Sequence, residues 1–196
     1  VVPTIDRVDV VELEPLVLDV ARACAPVNHD VMNNPKVHIT IGDARETLLT
    51  SAEHYDIIVS EPSNPYRAGI ASLFTREYYQ AATSRLNDNG LFVQWLQGYE
   101  VDTRTLRTMY ATMASVFPHV ETWDMTGGDL LMIAAKAPMA YRAAALTARL
   151  QQEPFRTAVH ARWRAADLNG LLAHFVAGNT FTRALASAPR VEVNTD

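Results

Sequence analysis

Tyr55-Asp56-Ile57-Ile58-Val59-Ser60-Glu61-Pro62-Ser63-Asn64-Pro65 is the stretch on which the reading of this chain turns. Its first half, Tyr55 to Ser60, is a short β-branched and aromatic run, the pattern of a buried strand. Its second half carries Pro62 and Pro65, which interrupt regular pairing and make a stiff loop. An acid, Glu61, stands at the junction. Ligands of open α/β sheets collect beyond the carboxyl ends of the strands, so this junction is a candidate functional position.

Working towards the N-terminus, Val37 to Ile41 reads as another strand, ended by Gly42-Asp43 and followed by a short helix from Ala44 to about Ala52. Before it, Val8 to Leu13 is a third strand-like run. Glu14-Pro15 then starts a helix reaching about Ala25, because proline suits the first helical position. Asn33-Asn34-Pro35 is a turn.

Towards the C-terminus, Thr75 is a plausible N-cap for a helix to Leu86, Asn87-Asp88-Asn89-Gly90 reads as a turn, and Leu91 to Leu96 as a strand. Asp102 or Thr103 caps a helix to about Val116. Strands near His119 to Trp123 and Leu130 to Ala135 follow, joined by Thr126-Gly127-Gly128-Asp129 as an antiparallel hairpin at the sheet edge. Strands alternating with helices at this spacing imply βαβ units and a mostly parallel sheet. From Met139 the texture becomes Ala- and Arg-rich, and 140–151 and 165–177 read as helices without a strand partner. The expected organisation is a nucleotide-binding catalytic domain over residues 1–138 and a helical appendage over 139–196.

Composition limits the function classes. Of 196 residues, 48% are hydrophobic, enough for a packed core and too many for disorder. The 22 carboxylates outnumber the 17 Lys and Arg, which argues against a nucleic-acid partner. The lone cysteine, Cys24, forms no internal disulfide and is expected to be a small buried apolar residue. The six histidines are scattered without a ligand spacing, so no metal site is expected. No run reaches the roughly 20 apolar residues of a membrane span, and no secretory signal is visible.

Glu12 and Asp43 fall at successive strand ends. An acid after the first βα unit accepts ribose hydroxyl hydrogen bonds, and one on the next strand end can accept from an adenine amino group. Either alone is equally well read as a helix cap or a solvated residue. Together they favour a nucleotide. The Gly-rich loop that normally precedes the first acid is expected upstream of Val1, and the chain is read as a piece of a longer one.

The ordered set Val-Glu-Leu-Glu-Pro (11–15), Ile-Gly-Asp-Ala-Arg (41–45), Tyr55 to Pro65, Leu-Phe-Thr-Arg-Glu-Tyr-Tyr (73–79) and Gly-Leu-Phe-Val-Gln-Trp (90–95) resembles the polyamine aminopropyltransferase (spermidine synthase) family. The resemblance covers roughly 6–136, and Val-Asn-Thr-Asp (193–196) is similar to an ending in membrane-fused bacterial members. It implies a Rossmann-like class I fold of the S-adenosylmethionine-dependent transferases. Decarboxylated S-adenosylmethionine, or S-adenosylmethionine, would be a co-substrate rather than a resident cofactor. A small amine is the implied partner, with a homodimer as the common assembly and a cytoplasmic setting, either free or as the cytoplasmic part of a membrane-attached protein. On this resemblance Glu12 binds the ribose and Asp43 meets the adenine with Ala44 beside it. Glu14 stands where the family often has a second acid. Glu61 takes the place of the catalytic aspartate, Asn64 that of the second aspartate in an Asp-Ser-Ser-Asp-Pro loop, and Gln94 that of a substrate-contacting glutamine.

The departures bear on the chemistry. Glu61 carries one methylene more than the family's aspartate, and misplacement of about 1 Å can cost about 100-fold in rate. Asn64 keeps an acceptor and loses the charge that attracts a cationic amine. Pro62 stiffens the loop. Tyr66, Tyr78, Tyr79 and Trp95 could face a cationic group, with core packing favoured for Tyr78 and Tyr79. Aminopropyl transfer is the leading expectation. A methyltransferase on the same fold and a non-catalytic nucleoside- or polyamine-binding domain are the alternatives.

Overall fold

The computed structural model describes residues 2, 4–63, 65, 67, 69–99, 101–125 and 127–196. It divides into two compact units, Val1–Ala52 and Glu53–Asp196.

The first unit is built on two parallel strands, β1 (Val8–Glu12) and β2 (Val37–Ile41), in register from Val8 opposite Val37 to Glu12 opposite Ile41. The crossover between them carries helices α1 (Pro15–Ala23) and α2 (Ala25–Asn28). Pro15 opens α1 as expected, and Glu14 caps it by accepting from the Leu16 N–H at 3.0 Å. The expected single helix breaks at Cys24, which ends α1 and precedes Pro26, and this thiol is exposed rather than buried. Helix α3 (Ala44–Thr50) follows β2 and buries Leu48.

The second unit holds a five-stranded mixed sheet in the order β3 (Tyr55–Ser60), β4 (Leu86–Leu96), β6 (Asp129–Ala135), β5 (His119–Met125), β7 (Phe175–Ala177). The β3/β4 pair is parallel, connected through α4 (Arg76–Arg85). The β5–β6 hairpin is antiparallel, and β6 also runs antiparallel to β4. Helix α5 (Thr103–Ala114) links β4 to β5.

The core lies between the sheet and α4 and α5. Along β4 the buried positions alternate as Phe92, Gln94 and Leu96, the period of a pleated strand with one covered face. Phe92 stacks on Phe117 at 5.5 Å and meets Tyr79 edge-on at 5.5 Å. Gly90 lets β4 approach β3 closely: a Cβ there would lie a tight 3.0 Å from the carbonyl oxygens of both Asn87 and Tyr55.

Residues 139–196 form α6 (Ala143–Leu150), α7 (Phe155–Trp163), α8 (Leu168–Leu172) and α9 (Asn179–Ala186). They also supply β7. The expected helix over 165–177 shortens to α8 because Phe175 and Ala177 pair instead with Trp123 and Thr122 of β5. Trp123 ties this segment to the sheet, with Phe175 at 5.3 Å and Tyr141 and Trp163 both at 6.3 Å. No described helix is long and apolar enough to cross a membrane.

Candidate functional site

In the first unit, Glu12 and Asp43 come together at the carboxyl end of the β1/β2 pair. The Gly42 N–H donates to the Glu12 carbonyl at 3.0 Å, which places Asp43 one residue beyond the last rung. Each carboxylate also serves the backbone. Glu12 Oε1 accepts from the Glu14 N–H at 2.9 Å and shapes the strand-to-helix turn. Asp43 caps α3, its Oδ1 accepting from Arg45 N–H at 2.7 Å and Glu46 N–H at 3.2 Å. A carboxylate offers about four lone-pair sites, so these bonds leave acceptor capacity on both residues. Ala44, half-buried, is the first residue of α3.

In the second unit, Glu61 leaves the end of β3 exposed, between buried Ser60 and buried Pro62. The strand end beneath it is tightly held. Ser60 pairs with Gln94 across β3/β4, and its Oγ accepts from the Tyr78 hydroxyl at 3.1 Å. Gln94 is fully buried; its Nε2 donates to the Ser60 and Trp95 carbonyls, both at 3.3 Å, while Oε1 has no partner among the described residues. In this geometry the glutamine supports the strand end under Glu61. Asn64 and Tyr66 lie outside the described residues.

Tyr78 and Tyr79 pack in the core, 2% and 0% exposed, as the sequence favours. Burial holds the Tyr79 hydroxyl far above the usual tyrosine range, so it stays protonated. Asp102 caps α5, accepting from the Thr105 N–H at 2.7 Å, and that bond holds its carboxyl below the ordinary value. A cavity of about 450 Å³ opens beside the loop, lined by Pro65, Phe74, Asp102, Thr105, Met109 and Asn194 among others.

Residues 2–126 match the family model of the spermine/spermidine synthase domain. The chain belongs to the spermine/spermidine synthase family. Over 117 residues it is 28% identical to a polyamine aminopropyltransferase of Clostridium perfringens, covering 59% of this chain and 41% of that protein. It is 31% identical over 124 residues to a thermospermine synthase of Arabidopsis thaliana, covering 61% of this chain and 37% of that one. The chain thus spans about two-fifths of the length of these curated relatives.

Among solved structures, a spermidine synthase in complex with a transition-state analogue superposes with TM-score 0.73 at 18% identity, over 93% of this chain and 62% of that one. Human methyltransferase-like protein 13, in complex with SAH, gives 0.57 at 16% identity, over 94% and 72%. These likenesses establish the Rossmann-like α/β fold of the family member described here.

Two features of this spermine/spermidine synthase family chain escape motif reading. The Tyr78–Ser60 hydrogen bond joins residues 18 apart, and the bond from Asn194 Nδ2 to the Phe74 carbonyl joins residues 120 apart. No local signal marks either pairing, although all four residues lie in the stretches that carry the family resemblance.

Proposed function

We propose that the protein moves an aminopropyl group from decarboxylated S-adenosylmethionine to a small putrescine-like amine. The observation that carries the reading is the juxtaposition of Glu12 and Asp43 at the carboxyl end of a parallel strand pair, within a chain of this family. Glu12 takes the ribose hydroxyls and Asp43, with Ala44 beside it, the adenine amino group.

The amine attacks the methylene next to the sulfonium. A C–N bond forms as the C–S bond breaks, the electron pair leaves on sulfur, and methylthioadenosine departs. The amine must present a lone pair, so one proton has to leave its nitrogen. Glu61, exposed at the end of β3, is the residue we assign to that proton and to orienting the amine. Asn64 and Gln94 are assigned to the amine side, Gln94 by holding the strand end that carries Glu61. The co-substrates are small molecules, and the reading carries a cytoplasmic setting.

Methyl transfer from S-adenosylmethionine is the second reading, favoured by the fold likeness to human methyltransferase-like protein 13. Calorimetric titration with decarboxylated S-adenosylmethionine, S-adenosylmethionine and methylthioadenosine separates the two. Tighter binding of the decarboxylated form, lost in Glu12→Gln, is the expected result. A preference for the intact form moves the assignment to methyl transfer. Binding by neither donor in the full-length protein, where the expected upstream loop is present, removes both.

A further inference from the structure

Residues 191–196 lie against the start of α4 and the middle of α5, and nothing in the chemistry above uses them. Asn194 brackets Thr75, the N-cap of α4, from both sides. Its Nδ2 donates to the Phe74 carbonyl at 3.2 Å and its own carbonyl accepts from the Arg76 N–H at 2.9 Å. Its backbone N–H donates to Oγ1 of Thr112, fully buried in α5, at 2.9 Å. One residue type does this well. The amide nitrogen supplies the donor that Phe74 needs, which an aspartate would replace with an oxygen facing an oxygen.

The first backbone N–H groups of a helix have no partner within it. At α4, Thr75 Oγ1 accepts from the Tyr78 N–H at 3.3 Å, and Asn194 satisfies Arg76. Together they fix the first turn, and that turn carries Tyr78. The Tyr78 hydroxyl in turn donates to Ser60 Oγ at 3.1 Å, both groups buried, and Ser60 is the residue before Glu61. The hydrogen bonds of Asn194 and of Tyr78, joined by the backbone of the first turn of α4, therefore connect Asn194 to the end of β3.

We propose that Asn194 is a positioning residue for Glu61, acting through the first turn of α4 and the Tyr78–Ser60 hydrogen bond. This rests on the assignment of Glu61 to the amine. Asn194 also lines the cavity shared with Pro65 and Phe74, so the same residue shapes the space beside the loop.

The test pairs hydrogen exchange with kinetics on Asn194→Ala, Asn194→Asp and Tyr78→Phe. Asn194→Asp keeps the size and the backbone bonds and turns the donor to Phe74 into a charged acceptor, so it carries the test if the alanine variant folds poorly. The expected result is exchange about tenfold faster at residues 74–79 and at Ser60 and Glu61, the scale of one lost hydrogen bond. Amides of β5 and β6 stay unchanged. With amine as the varied substrate, kcat/KM falls about tenfold while nucleotide affinity holds. The double variant Asn194→Ala with Tyr78→Phe behaves at Glu61 as Tyr78→Phe alone, because both act along one path. Faster exchange confined to 74–79, or additive effects in the double variant, overturns the proposal. Should the full-length protein turn over no amine, the functional reading fails, and the exchange at Ser60 and Glu61 still decides the positioning.

Discussion

Asp43 caps a helix and, on the proposed function, also holds a nucleotide, and the two duties separate by substitution. Asp43→Ala removes the acceptor of two backbone N–H groups, Arg45 at 2.7 Å and Glu46 at 3.2 Å. Losing such a cap costs roughly 0.5–2 kcal/mol. Each kcal/mol shifts Tm by roughly 2–4 °C for a chain of this length and roughly 4–8 °C for a smaller domain. A fall of several degrees is therefore expected, larger if the Val1–Ala52 unit melts by itself. Asp43→Ser restores the cap, since serine is among the preferred N-cap residues. Its oxygen stands one carbon closer to the backbone and is uncharged, so it cannot hold the adenine amino group as a carboxylate does. A hydrogen bond to a charged group is worth about 1.5–3 kcal/mol, or roughly a 10- to 100-fold rise in Kd. Thermal melts and calorimetric titration with decarboxylated S-adenosylmethionine read the two effects separately. If Asp43→Ser binds like the wild type, Asp43 is a cap and nothing more. If Asp43→Ala melts like the wild type, the capping argument is wrong.

Phe92→Ala empties the centre of the cluster formed with Phe117, Tyr78 and Tyr79, and should cost about 3–5 kcal/mol, read as a lowered urea midpoint with unchanged slope. Asp102 has its folded pKa depressed by the Thr105 N–H, so its contribution is complete above the unfolded carboxylate pKa and is lost as pH falls through the folded value. Asp102→Asn should flatten that acid limb in urea midpoints measured from neutral to acidic pH; an unchanged limb would show that other carboxylates set it.

Most of the fold could be read where strands announce themselves. Val37–Ile41 and Tyr55–Ser60 have the expected bounds because β-branched runs end at Gly42 in one case and at the Glu61-Pro62 loop in the other. The cap at Thr75 is equally plain, and of the two candidates Asp102 and Thr103 it is Asp102 that caps α5, since Ser, Thr and Asp before a helix offer the acceptor its first N–H groups need. Asn87 to Gly90 misled for a specific reason. These are turn residues, yet they extend β4, with Leu86 opposite Tyr55 and Asn87 Nδ2 donating to Asp56 Oδ1 at 2.8 Å. Cys24 departs from the expectation of its residue type, which is usually buried, because here it occupies an exposed helix junction.

Of the candidate site, the strand-end acids Glu12, Asp43 and Glu61 follow from periodicity and position alone. The surroundings of Gln94 do not. Its burial depends on the covered face of β4, and its Nε2 donates to the Ser60 carbonyl of a neighbouring strand and to the Trp95 carbonyl of its own. Long-range partnerships such as Asn194 with Phe74 have no local signature at all.

The brevity of β7 has a bearing on solubility. β5 is seven residues long and would otherwise present its outer rim to solvent with Trp123 beside it. An uncovered rim of that length is a template on which a second chain can add a strand. β7 is only three residues long, and it makes register partners with Thr122 and Trp123 alone. It therefore covers the middle of β5 while offering almost no rim of its own, which leaves this edge of the sheet terminated rather than merely extended.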